Sequence, residues 1–379
     1  MRSLTKKLIC TFVILGLAIA LSACGGEHVC EWGEWSSLEG EAASCTEGGK
    51  EVRVCLSDPT HTDTRDVQAL GHKFPGNGDT GKCERCNYET NDHVLTDKKV
   101  IVIGNSHTYF GGMVNEISQS MMELNFREGD RGYFYRLCKT NEVFNISVTN
   151  WTFGNHSLKD LFSGDCQANR SCGNGADHLS HLTDNNYDYV IFQNGSTDGD
   201  VVMEWIDVMM DFFKEGNPDT KFVMLVQARA HNDHAENPQK YTWLSKLSEI
   251  EKKGVTIVDW GALVYDLYSG AVTPTGENVL PFNKNSFVIA KSESDGYHPN
   301  LLAGYITSLM TYCAITGESA VGQDYSFCST VKSFSSFKKS YYKVGGTNFV
   351  EVFESEETML AIQQLVDEYL AAKGYRDYE

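Results

Sequence analysis

From residue 98 onward, short unbroken apolar runs alternate with longer stretches in which apolar residues recur every three or four positions. The runs are KVIVIG (99–104), FNISVTN (144–150), YDYVIFQ (187–193), KFVMLVQ (221–227) and VTIVDW (255–260). A strand covered on one face alternates apolar with polar residues, whereas one covered on both is apolar throughout and rich in Val and Ile. The pattern therefore predicts parallel strands between two helical layers, a three-layer α/β/α sandwich. VVMEWIDVMMDFF (201–213) reads as a helix on that sheet, its methionines filling core space. ETMLAIQQLVDEYLAAKGY (357–375) reads as an amphipathic helix stopped by Gly374. Open sheets of this kind bind ligands beyond the carboxyl ends of their strands, which points to Ser106, Gly154, Asn194 and the loop after Trp260.

The segment before this pattern has another character. Residues 27 to about 95 are rich in Cys, Gly, Glu and Thr, carry CEWGEW at 30–35 and lack helical periodicity. They predict a small stapled module over 24–95, ahead of a large domain over 96–379. With ALGHKF at 69–74, the module resembles the short Trp- and Cys-containing repeats of bacterial surface proteins. Cys83-x-x-Cys86 has three readings: disulfide staples, half of a zinc site completed by Cys55, His72 or His93, or a redox pair. A zinc knuckle wants a second Cys-x-x-Cys, and Asp58 stands where its second cysteine would fall. Staples are the preferred reading, and no metal ligand is assigned.

Arg2, Lys6 and Lys7 precede an apolar stretch from Leu8 to Leu21, too short to span a bilayer and suited to an export signal over 1–23. Leu21-Ser22-Ala23-Cys24 resembles the bacterial lipobox, which implies lipidation of Cys24 and anchoring at the cell surface, on the outer face of the cytoplasmic membrane. The formal net charge is −19, and loss of Arg2, Lys6 and Lys7 with the signal takes it to −22. So acidic a chain repels nucleic acid and anionic lipid surfaces, and no nucleic-acid role is expected. Of the 12 cysteines, ten remain once Cys10 leaves with the signal and Cys24 takes the lipid. Five lie before residue 90 and three mid-chain, so either a bridge joins these groups or some thiols stay reduced. Cys313 with Cys328, and Cys166 with Cys172, are the preferred local pairs.

Ser106 follows the first strand directly, where a hydroxyl is exposed at the strand end, and Gly111-Gly112 read as the opening of a helix. A serine needs a base to take its proton, and the base needs a third group to fix its tautomer. DGYHPN (295–300) offers both, with Asp295 three residues before His298 and Pro299 suited to the first turn of the helix that follows. His107 reads as a rim residue and Asn105 as a turn former. His178-x-x-His181 and His231-x-x-His234 lack the Glu of the metalloprotease pattern and read as loop histidines.

IVIGNSHTYFGG, TFGNHSLKDLF, YDYVIFQNGS and DGYHPNLLAGY, in this order, resemble the blocks of the SGNH (GDSL-type) hydrolases, and more closely a branch with GNS in place of GDS. The resemblance spans about residues 98–316. It implies a flavodoxin-like sheet of five parallel strands, with Ser106 as nucleophile, His298 as general base and Asp295 as its orienting carboxylate. It also implies an oxyanion hole from the Ser106 and Gly154 backbone N–H groups and one side-chain amide. Where the family has Gly-x-Asn-Asp this chain has Gln193-Asn194-Gly195-Ser196, which makes Asn194 the first choice for the amide and Gln193 the second. Ester cleavage follows from the superfamily. A carbohydrate ester is expected from the surface location and from Tyr109, Trp151 and Tyr297, which are suited to stacking on sugar rings. The partner is then a small-molecule or polysaccharide ester, with no cofactor and no oligomer expected. Two alternatives are a non-catalytic glycan-binding lipoprotein on a degenerate scaffold and a metal-dependent surface protein built on the Cys/His-rich module.

Overall fold

Five parallel strands form the centre of the large unit, each built from one of the apolar runs. The computed structural model describes residues 29–78, 80–114, 127–128, 132–154, 156–163, 179, 182, 184–195, 198–230, 238–283, 286–287, 298–330, 343–344 and 347–375. The chain divides into two compact units, one ending at Tyr88 and the other beginning at Glu89. The first contains an antiparallel sheet of β1 (Ser36–Ser37), β2 (Gly49–Val54) and β3 (Thr62–Val67). The expected export signal over 1–23 and the expected lipidation site Cys24 lie outside the described residues.

The large unit contains β4 (Lys99–Gly104), β5 (Arg127–Glu128), β6 (Ser147–Thr152), β7 (Tyr189–Phe192), β8 (Lys221–Leu225) and β9 (Val255–Val258). Their order in the sheet is β9-β8-β7-β4-β6-β5. All neighbours run parallel except β5, a two-residue edge strand antiparallel to β6. Counting parallel strands alone, the order is second-first-third-fourth-fifth, the flavodoxin-like arrangement.

Alternate side chains of each strand enter two separate cores. Val100, Val102, Ile191, Val223 and Val258 join one. Into it pack α2 (Tyr133–Thr140), α6 (Trp260–Ser269), α7 (Leu301–Thr316) and α8 (Glu356–Ala372). Ile101, Ile103, Phe192, Met224 and Ile257 join the other, against α3 (Leu158–Phe162), α4 (Gly199–Gly216) and α5 (Leu247–Lys252). A sheet covered on both sides has no polar face, which is why its strands read as continuous apolar runs. Helix α7 is buried from Leu301 to Cys313 on every side, so it carries no charged residue, and its Thr307, Ser308 and Thr311 hydroxyls donate to carbonyls of the preceding turn.

Several local expectations shift. The second run begins its strand at Ser147 because Asn145 adopts a left-handed backbone (φ 53°) and donates its amide to the Glu89 carbonyl and the Asp97 carboxylate. The last run ends at Val258, since the Asp259 side chain caps α6 by accepting from Ala262 N–H. Edge strand β5 carries no apolar signature and was not expected from the sequence. Cys313 and Cys328 both lie in the core as thiols not bonded to each other, so the expected bridge between them is absent. Cys166, Cys172, and the histidine pairs at 178/181 and 231/234 lie outside the described residues.

Candidate active site

Strand β4 is central, with β7 on one side and β6 on the other. Gly104 pairs with Thr152 and Ile103 with Phe192, so the three strands end level with one another. Ser106, Gly154 and Asn194 each stand two residues beyond the end of their strand. They therefore emerge side by side, Ser106 in the middle. Helix α2, which leads into β6, and helix α3, which joins β6 to β7, cover opposite faces. The connections thus diverge around β4, leaving the crevice where sheets of this type hold ligands.

Asn105 turns the chain. Its Oδ1 accepts from His107 N–H at 3.0 Å, capping the short helix α1 (Ser106–Tyr109) that Ser106 begins. Its Nδ2 donates to the His156 carbonyl at 2.8 Å, tying this turn to the loop after β6. The buried His156 ring donates from Nδ1 to the Gly154 carbonyl at 2.6 Å, a contact in which the carbonyl can only accept. Gly195 closes the set: its φ is +71°, and a Cβ there would lie 2.5 Å from the His156 carbonyl oxygen and 3.0 Å from Asn105 Nδ2. Only glycine fits that combination of backbone and space.

His298 reaches this site from the other end of the chain. Its Nε2 lies 2.7 Å from Ser106 Oγ, across 192 positions of sequence. The serine hydroxyl is the donor when Nε2 carries no proton. Both residues are partly exposed. The imidazole stacks on His107 (centroids 4.6 Å apart, planes at 22°) and on Phe110 (4.3 Å, 19°), which restricts its rotation. Behind it, Asn300 is buried, caps α7 through Ala303 N–H, and donates to the Ser286 carbonyl at 2.6 Å. Pro299 thus precedes the cap instead of standing in the first turn. Helix α7 is brought to α1 by two glycines, since a Cβ on Gly304 would overlap the Gly111 carbonyl oxygen. Gly111-Gly112 follow α1 and do not open a helix, Gly112 having φ +79°.

Asn194 is buried and its carbonyl accepts from Leu158 N–H at 3.0 Å, fixing the loop beside Ser106. Gln193 is also buried, and its Oε1 accepts the Thr108 hydroxyl at 3.2 Å. That contact turns the Gln193 amide oxygen toward α1. Gly154 faces the Tyr109 hydroxyl, which a Cβ would approach to 3.1 Å. Burial pushes the Tyr109 phenol up to about 12, so it remains protonated near neutral pH. Asp295 and Tyr297 lie outside the described residues. The aromatic expectation needs correction: Trp151 is fully buried, edge-to-face with Phe153 and Phe162, and offers no surface to a sugar. Tyr109 is 6% exposed and is a wall residue at most. His93, a candidate zinc ligand from the sequence, instead meets Tyr312 Oη at 2.9 Å and Glu318 Oε1 at 3.0 Å in the large unit.

His156, Gly195, Phe110 and the Gly111–Gly304 contact were not singled out as site-forming in the sequence. Each acts through a neighbour far along the chain, so no local spacing marks it.

No family model and no curated protein matches the chain. Among solved structures, an acetylxylan esterase from Geobacillus stearothermophilus is similar at 15% identity and TM-score 0.37, over 60% of this chain and 97% of that one. A chain described as a GDSL-like lipase from Parabacteroides merdae is similar at 15% identity and TM-score 0.37, over 60% of this chain and 99% of that one. Similarity this distant says nothing of substrate.

Proposed function

We propose that the protein is a serine-dependent ester hydrolase of SGNH type, with Ser106 as nucleophile and His298 as general base. The observation that carries this reading is the 2.7 Å contact between Ser106 Oγ and His298 Nε2 at the carboxyl ends of the central strands. An imidazole at that distance accepts the serine proton as Oγ attacks the ester carbonyl carbon. The carbonyl electron pair moves to oxygen, where the backbone N–H groups of Ser106 and Gly154 and the Asn194 amide are the assigned donors. Collapse of the tetrahedral intermediate breaks the bond to the leaving alcohol, which takes the proton from His298. Water then repeats the sequence on the acyl-serine and releases the carboxylic acid. Asp295, three residues before His298, is assigned the role of holding the imidazole in its working tautomer.

The substrate is proposed to be an acetyl ester on carbohydrate at the cell surface, reached by a chain anchored through Cys24. The export signal and lipobox support the location. The strong negative charge supports a neutral substrate over an anionic lipid one. The test is release of acetate from acetylated xylan and of p-nitrophenol from its acetate by the purified protein. Turnover that Ser106→Ala abolishes is expected; equal rates for the two proteins, or none with either substrate, would refute the assignment.

A further inference from the structure

The first unit contains almost no hydrophobic core. Among its described residues the only two that are buried are Cys55 and Cys83. A unit of this size that lacks apolar burial needs covalent or metal staples to hold a fold. Its described residues include five cysteines, at 30, 45, 55, 83 and 86, and five cannot all pair with one another. Two of them meet other side chains, Cys30 Sγ lying 3.3 Å from His61 Nδ1 and Cys55 Sγ 3.2 Å from Ser57 Oγ. Three remain, and they converge on one histidine.

We infer that Cys45, His72, Cys83 and Cys86 form a structural zinc site. One ligand atom from each lies within 4.8 Å of every other. Zinc–sulfur bonds of about 2.3 Å and zinc–nitrogen bonds of about 2.0–2.1 Å at tetrahedral angles place two sulfurs about 3.8 Å apart and sulfur and nitrogen about 3.6 Å apart. Cys45 Sγ lies 3.9 Å from Cys83 Sγ, and Cys86 Sγ lies 3.4 Å from His72 Nδ1. The sulfur separation is nearly twice the roughly 2.05 Å of a disulfide bond. The polypeptide frame is fixed around the four residues. Leu70 and Gly71 N–H groups donate to the Ser44 and Cys45 carbonyls, and Glu84 N–H donates to the Lys73 carbonyl. These bonds bring three loops together around the four residues.

The surroundings suit thiolate ligands. Cys83 Sγ accepts the backbone N–H groups of Lys73 at 3.4 Å and Arg85 at 3.3 Å, which favour a sulfur carrying negative charge. The His72 ring lies flat on Tyr88, with centroids 3.8 Å apart and planes at 13°, so its orientation is set from outside the site. Four ligands leave no open position for water, which makes the role structural. The missing second Cys-x-x-Cys is thus replaced by Cys45 and His72, contributed by two separate loops. Cys55 and His93, the other partners weighed from sequence, take no part.

The test is metal analysis of the full chain purified without chelator, beside the variants Cys45→Ser, His72→Ala and His72→Cys. About one zinc per chain is expected for the native protein and for His72→Cys, which keeps four ligands, with loss in the other two. Cobalt exchanged into the native chain should give the visible bands of a tetrahedral thiolate site, and these should shift in His72→Cys. Labelling of Ser106 by a fluorophosphonate reports folding of the large unit independently, so failure here is separable from failure of the hydrolase reading. A folded native chain without zinc, a peptide map linking Cys83 to Cys45 or to Cys86 by disulfide, or full zinc retention in Cys45→Ser would overturn the site.

Discussion

A serine hydroxyl in water holds its proton too tightly to attack an ester, and Ser106 differs from such a serine in what faces its oxygen. The imidazole at 2.7 Å is the base in the proposed mechanism, and stacking on His107 and Phe110 restricts its rotation. The two candidate side-chain amides, Gln193 and Asn194, have different surroundings. Gln193 turns its amide oxygen to the Thr108 hydroxyl, while Asn194 stands two residues past β7 in the position that matches Ser106 and Gly154. Asn194→Ala is therefore expected to lower kcat by about 10²–10³, the usual cost of an oxyanion donor, with little change in KM. Gln193→Ala should lower stability more than kcat. Steady-state kinetics with thermal melts of both variants distinguish them, and a larger kcat loss for Gln193→Ala would reverse the assignment. At this scale the serine and histidine were legible in the sequence because each sits in a distinctive local string. The burial of Trp151 is not legible there, because a tryptophan just ahead of a site loop reads the same whether its ring faces substrate or core.

Among the elements, helix α7 decides whether the site exists. His298 lies two residues ahead of its cap Asn300, and its packing on α1 depends on the absence of side chains at Gly111 and Gly304. Glycine-to-alanine changes inside helices ordinarily gain up to about 1 kcal/mol in helix propensity. Gly304→Ala should do the opposite, costing roughly 1–3 kcal/mol through overpacking and lowering kcat as His298 is pushed from Ser106. A neutral or stabilising effect in denaturant titration, with unchanged kcat, would show that the close contact is not needed. Helix α6 gives a pH signature. Burial pushes its capping carboxylate, Asp259, from 3.8 up to about 6, against the partial opposition of Arg229. A folded-state value above the unfolded one means that stability present below about pH 4 is lost as pH rises through about 6, roughly 3 kcal/mol for this shift. Asp259→Asn retains an acceptor for Ala262 N–H and lacks this dependence, so its stability relative to the native protein should increase across that interval. The strands were legible as elements because burial on both faces leaves a simple signal. Their ends were not, since Asn145 and Asp259 terminate runs through long-range or side-chain bonds that periodicity does not carry.

For the molecule as a whole, the sheet order explains why residues 192 positions apart meet. The first parallel strand lies at the centre, and the helix behind its site is built from sequence that follows the fifth. The α/β pattern made the class of sheet legible, and the ordered motifs implied its second-first-third-fourth-fifth arrangement. The small unit was less so: its cysteine count announced staples, but which sulfurs gather depends on three loops and a histidine that spacing alone does not join. The central claim is that Ser106 is activated by His298, and reaction with a fluorophosphonate tests it most directly, because only an activated serine is phosphonylated at an appreciable rate. Mass spectrometry should locate a single adduct on the peptide containing Ser106, absent in Ser106→Ala and formed far more slowly in His298→Ala. No adduct on the folded native protein, or an undiminished rate in His298→Ala, would contradict the account.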